Sequence, residues 1–168
     1  MQVNAIPKYD TSVNTTGCCA KFNPEGWDDQ KLRFRDKPFV LARTKSVMHI
    51  PVNMGRVFAR VLDKIGGEKA EFPEDFIVLS RDTSAWESEH LFSTDRQIES
   101  EEQMTLSGDF VTKVFEGPYR DAKQWCQQME DQVRALGSEP TDIFFFYTTC
   151  PNCAKAYGQN YVVGVARV

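Results

Sequence analysis

Apolar positions along the chain fall into short strand-like runs and two helical stripes. Phe110-Val-Thr-Lys-Val-Phe115 is mostly β-branched or aromatic, the composition of a strand. It leads into Glu116-Gly-Pro-Tyr119, a turn whose proline suits the first position of a helix. Ala122, Trp125, Met129, Val133 and Leu136 then recur at spacings of 3, 4, 4 and 3, which predicts an amphipathic helix. Gly137 is placed to end it. Ile143 to Tyr147 and Tyr161 to Val168 read as two further, buried strands.

The first half repeats the plan. Phe39 to Arg43 reads as a strand, Val57, Phe58, Val61, Leu62 and Ile65 as a helical stripe, and Gly66-Gly67 as its stop. Phe76 to Ser80 and His90 to Ile98 are the remaining strands. Phe39 and Phe110 lie 71 positions apart, as do Gly66 and Gly137. Phe76 and Ile143 lie 67 apart, which places a four-residue insertion within GGEKAEFPED of the first half. The expected fold class is α+β: two βαββ repeats in pseudo-two-fold relation, antiparallel sheets with one helix per repeat. The expected division is an N-terminal arm, residues 1–37, followed by one domain over 38–168, with repeats at 38–98 and 107–168.

The segment from Ser107 to Tyr119, with its strand and Phe-Glu-Gly-Pro-Tyr turn, resembles the GyrI-like small-molecule-binding family, which shares its fold with SOUL-type haem-binding proteins. The resemblance implies a groove between the repeats that takes aromatic, often cationic compounds, and in some members hydrolysis of the bound compound. Two places depart from the family pattern. Met48-His-Ile-Pro-Val-Asn53 stands where a His-Gly-x-Tyr element is usual, and the last strand ends GVARV without the usual acidic residue before it. Residues before 38 carry no helix-turn-helix.

Charge changes the picture of the partner. The formal net charge is −4, split as +5 over residues 1–70 and −9 over 71–168. A phosphate-binding surface needs the opposite sign, so nucleic acid is not an expected partner. Lys31, Arg33, Arg35 and Lys37 alternate with other residues, as along one solvated strand face. No apolar run reaches the roughly 18 residues of a membrane span. The N-terminus has no basic and apolar leader pattern, so a cytoplasmic, membrane-free setting is expected, where structural disulfides are uncommon. Oligomeric state is not legible.

The candidate chemistry lies in three groups. The cysteines come as Cys18-Cys19, Cys126 and Cys150-Pro-Asn-Cys153; CxxC is a frequent zinc half-site, and Cys18 with Cys19 would complete it. Adjacent cysteines are an awkward pair of ligands, and reduced thiols or a labile disulfide is the competing reading. CPNC is expected in a connection between two strands; without a helix to open, thioredoxin-like redox chemistry is not expected. Cys126, next to Trp125, reads as a packing residue. The second group is Trp86, Glu87 and Glu89, with His90 beside them, where alternation could set carboxylates against an aromatic; a solvated hairpin tip is the plainer reading. The third is Glu116, Tyr119 and Tyr147, although Glu116 could instead satisfy free amides at the helix start. His49 reads either as a site residue or as a packed loop residue, and Trp27 as an anchor for the arm.

No nucleotide or haem motif is present, nor G-x-S-x-G or H-E-x-x-H. Three functions follow. The leading one is a stand-alone protein that sequesters or senses an aromatic, cationic compound through Trp86, Glu87, Glu89, Glu116, Tyr119 and Tyr147. The second is a hydrolase of a reactive small molecule, with Glu116 or Glu87 as base and Tyr119 or Tyr147 as acid, Glu116 and Tyr119 being the leading pair. The third is an interaction module held by structural zinc.

Overall fold

Leu32 and Phe34 are buried while Lys31, Arg33 and Arg35 are exposed, so these three form one solvated strand face as expected, whereas Lys37 is half-buried. That strand opens a mixed α/β fold. The computed structural model describes residues 1–66 and 73–168. Its elements in chain order are β1 (Lys31–Val47), β2 (Ile50–Pro51), α1 (Met54–Gly66), β3 (Val78–Asp82), β4 (Glu87–Ser93), β5 (Glu102–Glu116), α2 (Ala122–Ala135), β6 (Ile143–Tyr147), α3 (Pro151–Tyr157) and β7 (Tyr161–Arg167). Most of the insertion segment GGEKAEFPED, and Gly67 of the helix stop, lie outside the described residues.

The chain forms two compact units: one joins Met1–Arg35 to Ser107–Val168, and the other is Asp36–Leu106. The first 35 residues therefore belong to the same unit as the chain's C-terminal part. In the Asp36–Leu106 unit the order is β1, β2, α1, β3, β4, so a two-residue strand that the periodicity did not predict stands before the helix. In the other unit α3 stands between β6 and β7, where a plain strand connection was expected.

In the Asp36–Leu106 unit, β1 pairs antiparallel with β2 and β4, and β4 with β3. One face is covered by α1, whose Val57 and Val61 are buried with Val40, Ala42, Phe92 and Ile98, while Ile65 and Val78 stay half-buried at the edge. Towards the other end of the strands the same face turns polar. His90 lies two residues before Phe92, at the strand period, and the Phe58 ring meets both edge-on, at 4.8 and 4.9 Å. The His90 imidazole is fully buried and held at both nitrogens, by Ser80 Oγ at 2.7 Å and Thr44 Oγ1 at 2.8 Å. Burial pushes its pKa down to about 4, with the Asp82 carboxylate pulling part of the way back.

In the other unit β7 lies between β5 and β6, antiparallel to both. Trp125, Met129 and Val133 of α2 are buried against Val111, Phe115, Phe145, Val162 and Ala166, and Cys126 packs at the margin as expected. Close approach of α2 depends on Gly164, where an added Cβ would stand 2.6 Å from Met129 Sδ. The N-terminal segment is fastened by Trp27, which is wholly buried among Phe22, Phe146 and Tyr9, with ring centroids 5.6, 5.6 and 6.1 Å away. The Trp27 carbonyl accepts from the Thr112 hydroxyl of β5, and Asp28 Oδ1 accepts from the Val114 amide at 2.8 Å.

Two outcomes follow. Gly164→Ala forces Met129 off its seat and should destabilise the protein by about 1–3 kcal/mol, read from denaturant melts. The second concerns acid. His90 is neutral when folded but takes a proton near pH 6.5 when unfolded, so the unfolded state binds more protons below that value. Stability is therefore complete above pH 6.5 and falls as pH drops towards 4, by up to about 3 kcal/mol in total. His90→Gln should flatten that stretch of the stability-versus-pH curve.

Candidate functional site

Four cysteines converge in the unit built from the two ends of the chain. Cys18 and Cys19 come from the N-terminal segment, and Cys150 and Cys153 from the start of α3. The Sγ atoms of all four lie within 4.8 Å of one another. CPNC opens a helix: Cys150 is its extended N-cap, Pro151 takes the first turn, and Gly158 ends it in the left-handed region. The expectation of a helix-free strand connection is thus corrected, and the exclusion of thiol redox chemistry that rested on it loses its premise. Lys155 and the alanines on either side favour a helical turn once proline has fixed its start.

Cys18 and Cys19 turn out not to be an awkward pair. Their Sγ atoms lie 3.7 Å apart. The chain enters them through a turn at Gly17, whose φ of +69° is costly for other residues. Thr16 fixes that turn: its hydroxyl lies 3.3 Å from the Cys18 amide, the Cys19 carbonyl and Cys153 Sγ. The Tyr157 hydroxyl donates to the Cys19 carbonyl at 2.6 Å, and the Cys150 amide donates to Cys19 Sγ at 3.5 Å. Thr16 and Tyr157 were not found from sequence, because neither carries a pattern before the two segments meet.

The donor set fits zinc. A tetrahedral ion with bonds of about 2.3 Å to sulfur has sulfur–sulfur edges of about 3.8 Å, close to the Cys18–Cys19 separation. Burial pushes the Cys19 thiol well above its ordinary range, while the Thr16 hydrogen bond outweighs burial at Cys153 and brings it down to about 6. Crowded thiols of this kind resist ionising together unless a cation neutralises them. Four thiolates would fill the coordination shell, so a zinc ion here would supply folding free energy and crosslinking.

The other predicted residues separate. Glu116 is exposed at the end of β5. The Tyr119 ring lies 5.8 Å from that of Tyr147, and its hydroxyl donates to the Thr149 carbonyl, next to Cys150. Burial pushes this phenol up to about 12, so it holds its proton and steadies the cysteine loop. In the other unit Glu87 and Glu89 share a face as alternation predicts, yet both are met by arginine. Glu89 lies 3.1 Å from Arg81 and 3.8 Å from Arg43, and Glu87 lies 4.0 Å from Arg43. Trp86 is 58% exposed and lines an open depression with Val47, Val52, Thr83, Ser84 and Lys45.

A family model described as bacterial hydrolase matches residues 9–168. The chain belongs to that family. No curated protein matches it. The match overturns the GyrI-like resemblance, and the SOUL kinship goes with it. The turn that carried the resemblance has a local explanation: Gly117 sits at φ +149°, open to glycine almost alone, and Pro118 is the extended cap of a short 3₁₀ turn. Among the described residues no helix is long and apolar enough to cross a membrane.

Protein prepared without chelator should carry close to one zinc per chain by elemental analysis. Cys19→Ser and Cys153→Ser should each lower that content and the melting temperature together, whereas Cys126→Ser should leave the zinc in place.

Proposed function

We propose that the protein is a hydrolase of small neutral molecules whose N- and C-terminal segments are tied together by structural zinc. Membership of the bacterial hydrolase family over residues 9–168 carries the reading. It favours catalysis over the sequestering role that the charge distribution first suggested. The apolar depression beside Trp86, Val47 and Val52 supports a small substrate with an aromatic or branched aliphatic body, since such walls bury flat or branched surface. Arginine pairing of Glu87 and Glu89 removes the reason to require a cation. The four-cysteine donor set, which would fill a zinc ion's coordination shell, argues for a bonded scaffold, with the hydrolytic groups placed elsewhere. The shared sequence of a long strand, a helix and two later strands in residues 36–98 and 107–168 supports a duplicated plan, to which the first half adds β2 and the second α3.

The test is mass analysis of a panel of carboxylic esters, lactones and amides incubated with the full-length zinc-loaded chain. Multiple turnovers of at least one compound are expected. Stoichiometric binding with every compound recovered intact would replace the hydrolase by a binder.

A further inference from the structure

The hairpin between β1 and β2 is built against its own residue preferences. Val47 pairs with Ile50, leaving a two-residue loop of Met48 and His49. Both have positive φ, 51° and 67°, the geometry in which Asn-Gly is favoured and bulky residues are strained. Neither side chain is excused by burial, since Met48 is 66% exposed and the His49 side chain 59%. The cost is answered by a specific contact. His49 Nδ1 lies 2.8 Å from Asp82 Oδ2, while the Ser88 hydroxyl donates to Asp82 Oδ1 at 2.6 Å. The β3–β4 register sets Asp82 directly opposite Ser88, so the carboxylate is held from two sides.

We infer that His49 and Asp82 form a catalytic dyad that activates water against carboxylic esters seated in the depression beside Trp86. This deepens the hydrolase reading and rests on it. A carboxylate accepting from Nδ1–H fixes the tautomer and leaves Nε2 with the lone pair, the state a general base needs. Chain neighbours link the dyad to the seat: Val47 and Val52 of its lining lie two and three residues from His49, Thr83 of its lining follows Asp82, and the His49 amide donates to the Ala85 carbonyl, next to Trp86, at 2.9 Å. Val47, Met48, Ile50, Val52 and Trp86 are all more than half exposed, an apolar surface that an aromatic or branched ester body would cover.

In the step, water oxygen bonds to the ester carbonyl carbon while His49 Nε2 takes its proton, and the carbonyl electron pair moves onto oxygen. Lys45, on the wall of the depression, supplies positive charge for that oxyanion. Collapse restores the carbonyl and breaks the bond to the alcohol oxygen, which leaves with the proton from the imidazolium. Asp82 is a positioning residue, acting through His49.

The experiment measures hydrolysis of 4-nitrophenyl butyrate and phenyl acetate by the full chain. An equal concentration of free imidazole sets the background. His49→Gly suits the left-handed backbone, so it should melt no lower than wild type while kcat falls about 100-fold or more, within the range of general-base contributions. Added imidazole should restore part of that activity. Asp82→Asn should lower kcat with little change in KM, and Trp86→Ala should raise KM with kcat kept. Wild-type turnover that survives His49→Gly overturns the dyad and leaves the hydrolase reading standing. Wild-type rates no greater than imidazole would overturn the dyad for esters, and the panel of lactones and amides would then decide the hydrolase reading by itself.

Discussion

The convergence of four sulfur atoms is the constraint on which the unit built from the two ends of the chain depends. Cys19 and Cys150 are separated by 131 positions, yet the amide of one meets the sulfur of the other. Closing so long a loop costs chain entropy that a few weak hydrogen bonds to sulfur cannot offset alone. Two things share that cost. One is the aromatic cluster of Trp27, Phe22, Tyr9 and Phe146, which buries the N-terminal segment against β6. The other is the donor set itself, whose spacing suits an ion that would convert four crowded thiols into a crosslink. Tyr119, Tyr157 and Thr16 then read as one supporting shell, because each bonds to backbone or sulfur beside a cysteine.

The Asp36–Leu106 unit answers a different problem. Its helix-facing side is apolar through Val40, Phe92 and Val61, and polar at His90, which Phe58 of α1 still covers. A buried imidazole is tolerable there because both ring nitrogens find hydroxyls, which makes His90 a satisfied core residue sensitive only to acid. One turn of the pleat further on, Asp82 reaches the surface opposite the buried Ser88 and meets His49. The change from core to chemistry thus takes place along single strands, over two or three residues of each.

The Asp36–Leu106 unit also pairs its charges internally. Carboxylates that seemed a free negative wall are neutralised in place, Glu89 by Arg81 and Arg43, and Glu101 by Lys64 and Arg60. Pairing of this kind contributes little to stability at the surface, but it removes the field that a cationic ligand would have followed. Composition alone overstated the acidity of the region, because arginines from β1 and α1 lie far away in sequence.

Much of the architecture was set by local pattern. The stripes Val57 to Ile65 and Ala122 to Leu136 became α1 and α2, and Ile143 to Tyr147 became β6 with the expected bounds, because burial at a fixed period is written directly in residue order. The cysteine set was legible as a candidate for the same reason: CxxC and paired cysteines are local strings. What the sequence misjudged was non-local or lay in short segments. Helix α3 has only seven residues, too few for a period to show, and its start depends on one proline. The Glu-Gly-Pro-Tyr turn looked like a family mark and proved to be turn stereochemistry. The contacts of His49 with Asp82 and of Thr16 with Cys153 join positions 33 and 137 residues apart. Only tertiary structure decides such contacts, since they depend on strand register and loop closure, and neither is encoded at any single place in the chain.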